Sequence, residues 1–209
     1  MPNLERYFDE IDLARIRRVK ELSDIKVRFT TYAGPDPSNI SSRAAIVLTY
    51  ASWEGFYNEC AFVYVRFLKE LGKRVRETDW MLLLGTFKSE FDALRDKYHS
   101  DAARIQFVGN LQLLIECNFE DFDSGVIAAK SNLNFTRLSQ NFHLLSFDLA
   151  PMQRFRIRLD QELVKWRHSV AHGDPPDLSN LDIRGHVDFA ADLLIVLADG
   201  FQEAMLKRV

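Results

Sequence analysis

PMQRFRIRLDQELVKWRHSVAHG, residues 151–173, holds no glycine or proline between its first and last positions. It predicts one unbroken helix. Pro151 suits a first turn, where its missing N–H costs nothing, and Gly173 is a natural stop. At 100° per residue, Phe155, Leu159, Leu163, Trp166 and Val170 form one apolar sector. Arg154, Arg158, Lys165, His168 and His172 gather on the opposite side as a basic ridge. Arg167 stands apart from that ridge, beside Leu163 and on the side of Arg156 and Asp160. An arginine at the rim of an apolar sector needs a partner to offset its desolvation. Arg167 and His172 are five apart, so a regular helix points them about 140° from each other. They converge only if the helix loosens before Gly173 or a second subunit contributes. The plainer alternative has Arg167 capping or ion-pairing and both histidines solvated at a helix C-terminus, whose dipole attracts them.

Outward from this segment the same periodicity repeats. Helices are expected over about 4–29, 41–71, 80–98, 101–117, 132–145 and 182–207. Leu4, Phe8, Ile11, Ile16 and Leu22 supply the first stripe. Ser38 or Ser41 would cap the second helix and Gly72 would stop it. Asp79 could cap the third helix and Asp101 could open the fourth. The breakers cluster at 34–37, Gly72, 121–125, Pro151 and 173–176. Nothing alternates at period two, so the reading is an all-α bundle of five to seven helices. It is a single domain over 1–209, with a core over about 40–208 and the helix at 4–30 packed on it.

Composition narrows the function classes. The chain has 209 residues, of which nine are Gly and six Pro, about 7% against a usual ~12%. That scarcity disfavours a turn-rich β-sandwich. A net charge of −3 does not mark the whole chain as a nucleic-acid binder. Residues 151–173, however, carry five basic and two acidic side chains, a local +3 that leaves −6 for the rest. Cys60 and Cys117 have no CxxC spacing, which points to two buried hydrophobes in a reducing compartment rather than a zinc cluster. No run reaches the ~18 uncharged apolar residues of a membrane span. The N-terminus is acidic where a signal peptide is apolar. A cytoplasmic protein without a membrane segment is expected.

Arg167-His168-Ser169-Val170-Ala171-His172, followed by Gly173, resembles the signature of the HEPN superfamily. That signature is an arginine, a polar residue, and a histidine after four to six intervening positions. Trp53-Glu54-Gly55-Phe56-Tyr57-Asn58 and Ser131-Asn132-Leu133 are similar to stretches of its prokaryotic MAE-type branch. The resemblance covers residues from about 40 to 200. It implies a metal-independent endoribonuclease, a homodimer with a composite site at a two-fold axis, no cofactor, and a toxin, phage-defence or restriction setting with a cognate antitoxin protein. RNA would be the substrate. His172 would take the 2′-hydroxyl proton, and Arg167 would stabilise charge on the phosphate oxygens. His168, where asparagine or aspartate is commoner in the family, would orient the phosphate or act as the acid. Glu54 would reach Arg167 and hold it, with Asn58 on the same helix face. Arg154, Arg158 and Lys165 would bind the RNA backbone.

Two other readings stay open from the residues. One is a non-catalytic HEPN module that binds RNA, nucleotide or a partner protein. The other is an unrelated helical scaffold. His168 and His172, with Asp174 nearby, also suggest zinc. No glutamate fills the catalytic position of HExxH and no third ligand has a convincing spacing, so no metal is expected. Trp53 and Trp166 are candidates either for stacking on bases or for the core.

Overall fold

The computed structural model describes residues 2–32, 39–97, 100–120, 122–130, 132–174 and 176–209. The turn at 34–37, the candidate cap Ser38, and Asp121, Ser131 and Pro175 lie outside the described residues. Among the described residues ten α-helical stretches follow one another: α1 (Leu4–Tyr32), α2 (Ile40–Glu70), α3 (Leu83–Thr86), α4 (Lys88–Asp96), α5 (Asp101–Glu116), α6 (Phe135–Leu145), α7 (Ala150–Gln153), α8 (Arg156–Arg158), α9 (Trp166–His172) and α10 (Ile183–Leu206). Among the described residues no strand forms; a lone bridge pairs Arg74 with Asn118. The fold is all-α. No helix among the described residues is long and apolar enough to cross a membrane.

Three long helices, α1, α2 and α10, pack mutually and enclose the core. The buried stripe of α1 is Tyr7, Ile11, Ala14, Leu22 and Ile25, a 3–4 spacing that turns one face inward. Ile16, placed in that stripe by the sequence reading, is 59% exposed. The inward position one turn after Ala14 is instead taken by Arg18, whose guanidinium bonds Glu21 and Glu59. Gly55 makes this possible. A Cβ there would sit 2.8 Å from the Arg18 guanidinium. Arg17 to Glu59, Arg66 to Glu10, and Arg6 with Tyr7 to Glu70 extend the α1–α2 seam.

Several expected boundaries shift for local reasons. Asn39, not Ser41, caps α2, accepting the Ser42 N–H at 2.9 Å. Ser100 caps α5 and Asn134 caps α6. Asp182, where the last helix was expected to begin, caps α10. The helix anticipated over 80–98 breaks into a 3₁₀ turn, α3 and α4. The Phe122 ring occupies the space beside Gly85 that a side chain would fill, and Phe87 turns inward at the break. Asp79 caps nothing; it accepts from Arg208, which also bonds the Tyr64 hydroxyl. Cys60 is buried, whereas Cys117 is exposed at the end of α5, because α4 and α5 bury no residue of their own.

The largest departure lies in the segment first quoted. Residues 151–172 are not one α-helix. After α7 and α8 the chain enters a π-helical turn over Leu159–Lys165 before α9 begins. Each π turn takes in about one residue more than an α turn, which rotates everything downstream by about 100°. Leu159, Leu163 and Val164 are all buried in consequence.

Candidate functional site

Two consecutive side chains fix α9 between its neighbours. The Trp166 ring packs 5.5 Å from the His186 ring on α10. The Arg167 guanidinium turns the other way, onto α2, 4.8 Å from the centroid of the Tyr50 ring. A guanidinium over an aromatic face is attracted by the ring quadrupole, worth about 0.5–2 kcal/mol. His168 and His172 face outward, and their rings lie 4.3 Å apart at 47°. The helix stays regular through His172 and is ended by Gly173 at φ 79°, a conformation costly for any residue with a Cβ. The helix therefore does not loosen, and Arg167 and His172 point apart within one chain.

Tyr50 is the hub beneath Arg167. It is buried. Its hydroxyl donates to Glu54 at 3.1 Å and accepts the Leu133 N–H at 2.7 Å. Burial raises the Tyr50 hydroxyl well above its ordinary pKa, so it stays protonated. Glu54 is raised as well, by burial first, against the opposing pull of the Tyr50 bond and the Arg167 charge. Glu54 and Arg167 thus feel each other, but the hydrogen bond of Glu54 goes to Tyr50 and not to the guanidinium. The expected direct salt bridge is replaced by a relay through Tyr50: the phenol ring fills the space between them and takes both partners. Tyr50 was missed in the sequence, although its place one turn before Glu54 was the available signal.

Asn58 serves the scaffold rather than the arginine. Its carboxamide oxygen accepts the Ala129 N–H at 2.9 Å. With Tyr57 to the Ile127 carbonyl, Trp53 to the Leu133 carbonyl, and Tyr50, it fastens Ile127, Ala129 and Leu133 onto α2. Trp53 is fully buried, which leaves no face for a base. Arg137 reinforces the loop from α6 by donating to the Val126 and Ala128 carbonyls. Lys130, in the same loop, holds φ 57°.

The expected basic ridge is divided by the π turn. Arg158 lies 4.2 Å from the Phe189 ring centroid and bonds Glu162, so it faces α10. Arg154 stacks on its neighbour Phe155. Lys165 and His168 instead border a recess of about 300 Å³ with Asn132, Asn134 and Asp160. Asp160, also missed in the sequence, accepts the Phe135 N–H at 2.8 Å and so helps to cap α6. On the far side, His186 is buried with neither ring nitrogen partnered, and burial pulls its pKa down to about 4. Among the described residues no group of three or more His, Cys, Asp or Glu side chains is placed to hold a metal ion.

A family model described as RiboL-PSP-HEPN matches residues 13–203. It names that family rather than the MAE-type branch. No curated protein and no solved structure matches the chain. The matched span takes in α2 with Tyr50 and Glu54, the 127–133 loop, and the motif helix with Arg167, His168 and His172. By that match the chain belongs to the HEPN superfamily, in its RiboL-PSP-HEPN family.

Proposed function

We propose that this protein is a metal-independent endoribonuclease that works as a homodimer. Family membership supports a function related to RNA or nuclease chemistry. The observation that carries the finer reading is the contrast on α9: an arginine held by Tyr50, one residue from an exposed histidine pair. His172 takes the 2′-hydroxyl proton of the RNA. The freed oxygen attacks the adjacent phosphorus, while Arg167 donates to its non-bridging oxygens. The P–O bond to the 5′-oxygen breaks, and that oxygen takes a proton from His168 or water. The products are a 2′,3′-cyclic phosphate and a 5′-hydroxyl. DNA, lacking the nucleophile, is inert.

Because Arg167 and His172 point apart on one regular helix, the working site joins Arg167 of one copy to His172 of a second across a two-fold axis. A toxin or phage-defence role, with a cognate antitoxin protein, fits such an activity. The test is incubation of purified protein with structured and single-stranded RNA in EDTA, with end-group analysis of the products. The same divergence favours one alternative. If copies never pair, the exposed histidines and Lys165 serve a module that binds RNA without cutting it.

A further inference from the structure

The recess beside His168 is built from neutral and paired polar groups rather than from positive charge. Its borders carry one carboxylate, Asp160, and one ammonium, Lys165, with Val164 as an apolar wall. It stands at the start of α6, yet it is not an anion cradle. The Phe135 N–H is spent on Asp160 and the Arg137 N–H on Asn134, at 2.8 Å each. What stays available is hydrogen-bonding capacity. Asn134 has its amide hydrogens, and Asp160 has its second oxygen and the remaining lone pair of the first. The Asn132 carboxamide has no partner among the described residues. Such a set, next to an apolar wall, reads the edge of a nucleobase.

We propose that this recess is a base subsite that selects guanine on a nucleotide next to the cleaved phosphate, with Asp160 and Asn132 as the residues that decide it. The position next to a cleaved phosphate rests on the ribonuclease reading above. Guanine offers two adjacent N–H donors to one carboxylate, and its carbonyl oxygen suits an amide or Lys165. Uracil has a single N–H flanked by two carbonyl oxygens, so a carboxylate set to take two donors meets one of those oxygens and is repelled. His168 borders the recess and stacks on His172, so a base held here lies beside the exposed histidines.

The test uses two readouts on wild type, Asp160→Asn and Asn132→Ala. The first is equilibrium binding of guanosine 3′-monophosphate against uridine 3′-monophosphate. Wild type should favour guanosine by roughly tenfold, and each variant should lose most of that preference. The second is mapping of cut sites in RNA randomised around the cleaved bond, where Asp160→Asn should flatten a guanine bias. Asn in place of Asp keeps an oxygen for the Phe135 N–H, so α6 stays capped. Should it nonetheless unfold, Asn132→Ala, which breaks no side-chain bond among the described residues, decides. Equal binding of the two nucleotides by wild type, or an unchanged preference in a folded variant, overturns the subsite. Guanosine preference without any RNA cleavage keeps the subsite and defeats the ribonuclease reading; unbiased cleavage with equal binding does the reverse.

Discussion

The Arg167 guanidinium lies over the face of Tyr50, 4.8 Å from the ring centroid, while the hydroxyl of the same ring bonds Glu54 and the Leu133 N–H. One aromatic side chain therefore sets the height of the motif arginine and the position of the loop beside it. Glu54 meets Arg167 through Tyr50, while Asn58 holds the Ala129 N–H instead.

Tyr50→Phe and Tyr50→Leu separate these duties. The phenylalanine keeps a ring for Arg167 but leaves the Leu133 N–H without its acceptor, which should cost about 1–3 kcal/mol of stability. Leucine removes the ring as well. On thermal melts both variants should be destabilised. In RNA cleavage the leucine should lose more kcat than the phenylalanine. Equal kcat in both would remove the ring from the account of Arg167.

His186 gives the fold an acid-sensitive point. Its pKa falls from 6.5 to about 4 because burial disfavours the charged ring. Above pH 6.5 it is neutral folded or unfolded and contributes no pH dependence. Below that value the unfolded chain binds the proton first, so stability drops as pH falls toward about 4, by about 3 kcal/mol in all. His186→Phe should flatten that part of a denaturation–pH profile. A profile of unchanged slope would show that His186 titrates freely in the folded protein.

Gly173 at φ 79° closes α9 directly after His172. Gly173→Ala forces a Cβ into the left-handed region and should cost about 1–2 kcal/mol. It should also misplace His172, so cleavage should fall further than the melting temperature alone explains. Wild-type cleavage in the alanine variant would separate the cap from the site.

Much of this was legible in the sequence, and the failures have definite causes. The all-α class followed from apolar spacing and scarce breakers. The Gly173 stop followed from local rules that act within one turn. The π turn at Leu159–Lys165 did not, because its residues have ordinary helical propensities and the extra residue per turn is imposed by packing against α2 and α10. That one insertion separated Arg158 from Lys165 and undid the continuous ridge. Ile16 and Arg18 exchanged burial for a similar reason. Glu59 and the gap above Gly55 lie on another helix, beyond the reach of any local pattern.

The two-copy site makes a mixing prediction. Arg167→Ala and His172→Ala proteins, each inactive, should regain cleavage when unfolded and refolded together. Half the dimers are then mixed and each holds one intact site, so about a quarter of wild-type activity is expected. Light scattering should give a dimer of the 24.2 kDa chain. A monomer throughout the micromolar range, or no recovery on mixing, would place both residues of the site in one copy.

The most direct measurement is cleavage of RNA in EDTA by wild type and by folded Arg167→Ala, His172→Ala and doubly substituted protein, with the product ends identified. The account predicts 2′,3′-cyclic phosphate ends from wild type. Each single change should lower the rate by roughly 10²–10⁴-fold, with little further loss on combination. Arg167→Lys should fail as well, since an ammonium lacks the guanidinium fork. Undiminished cleavage by folded His172→Ala protein would contradict it.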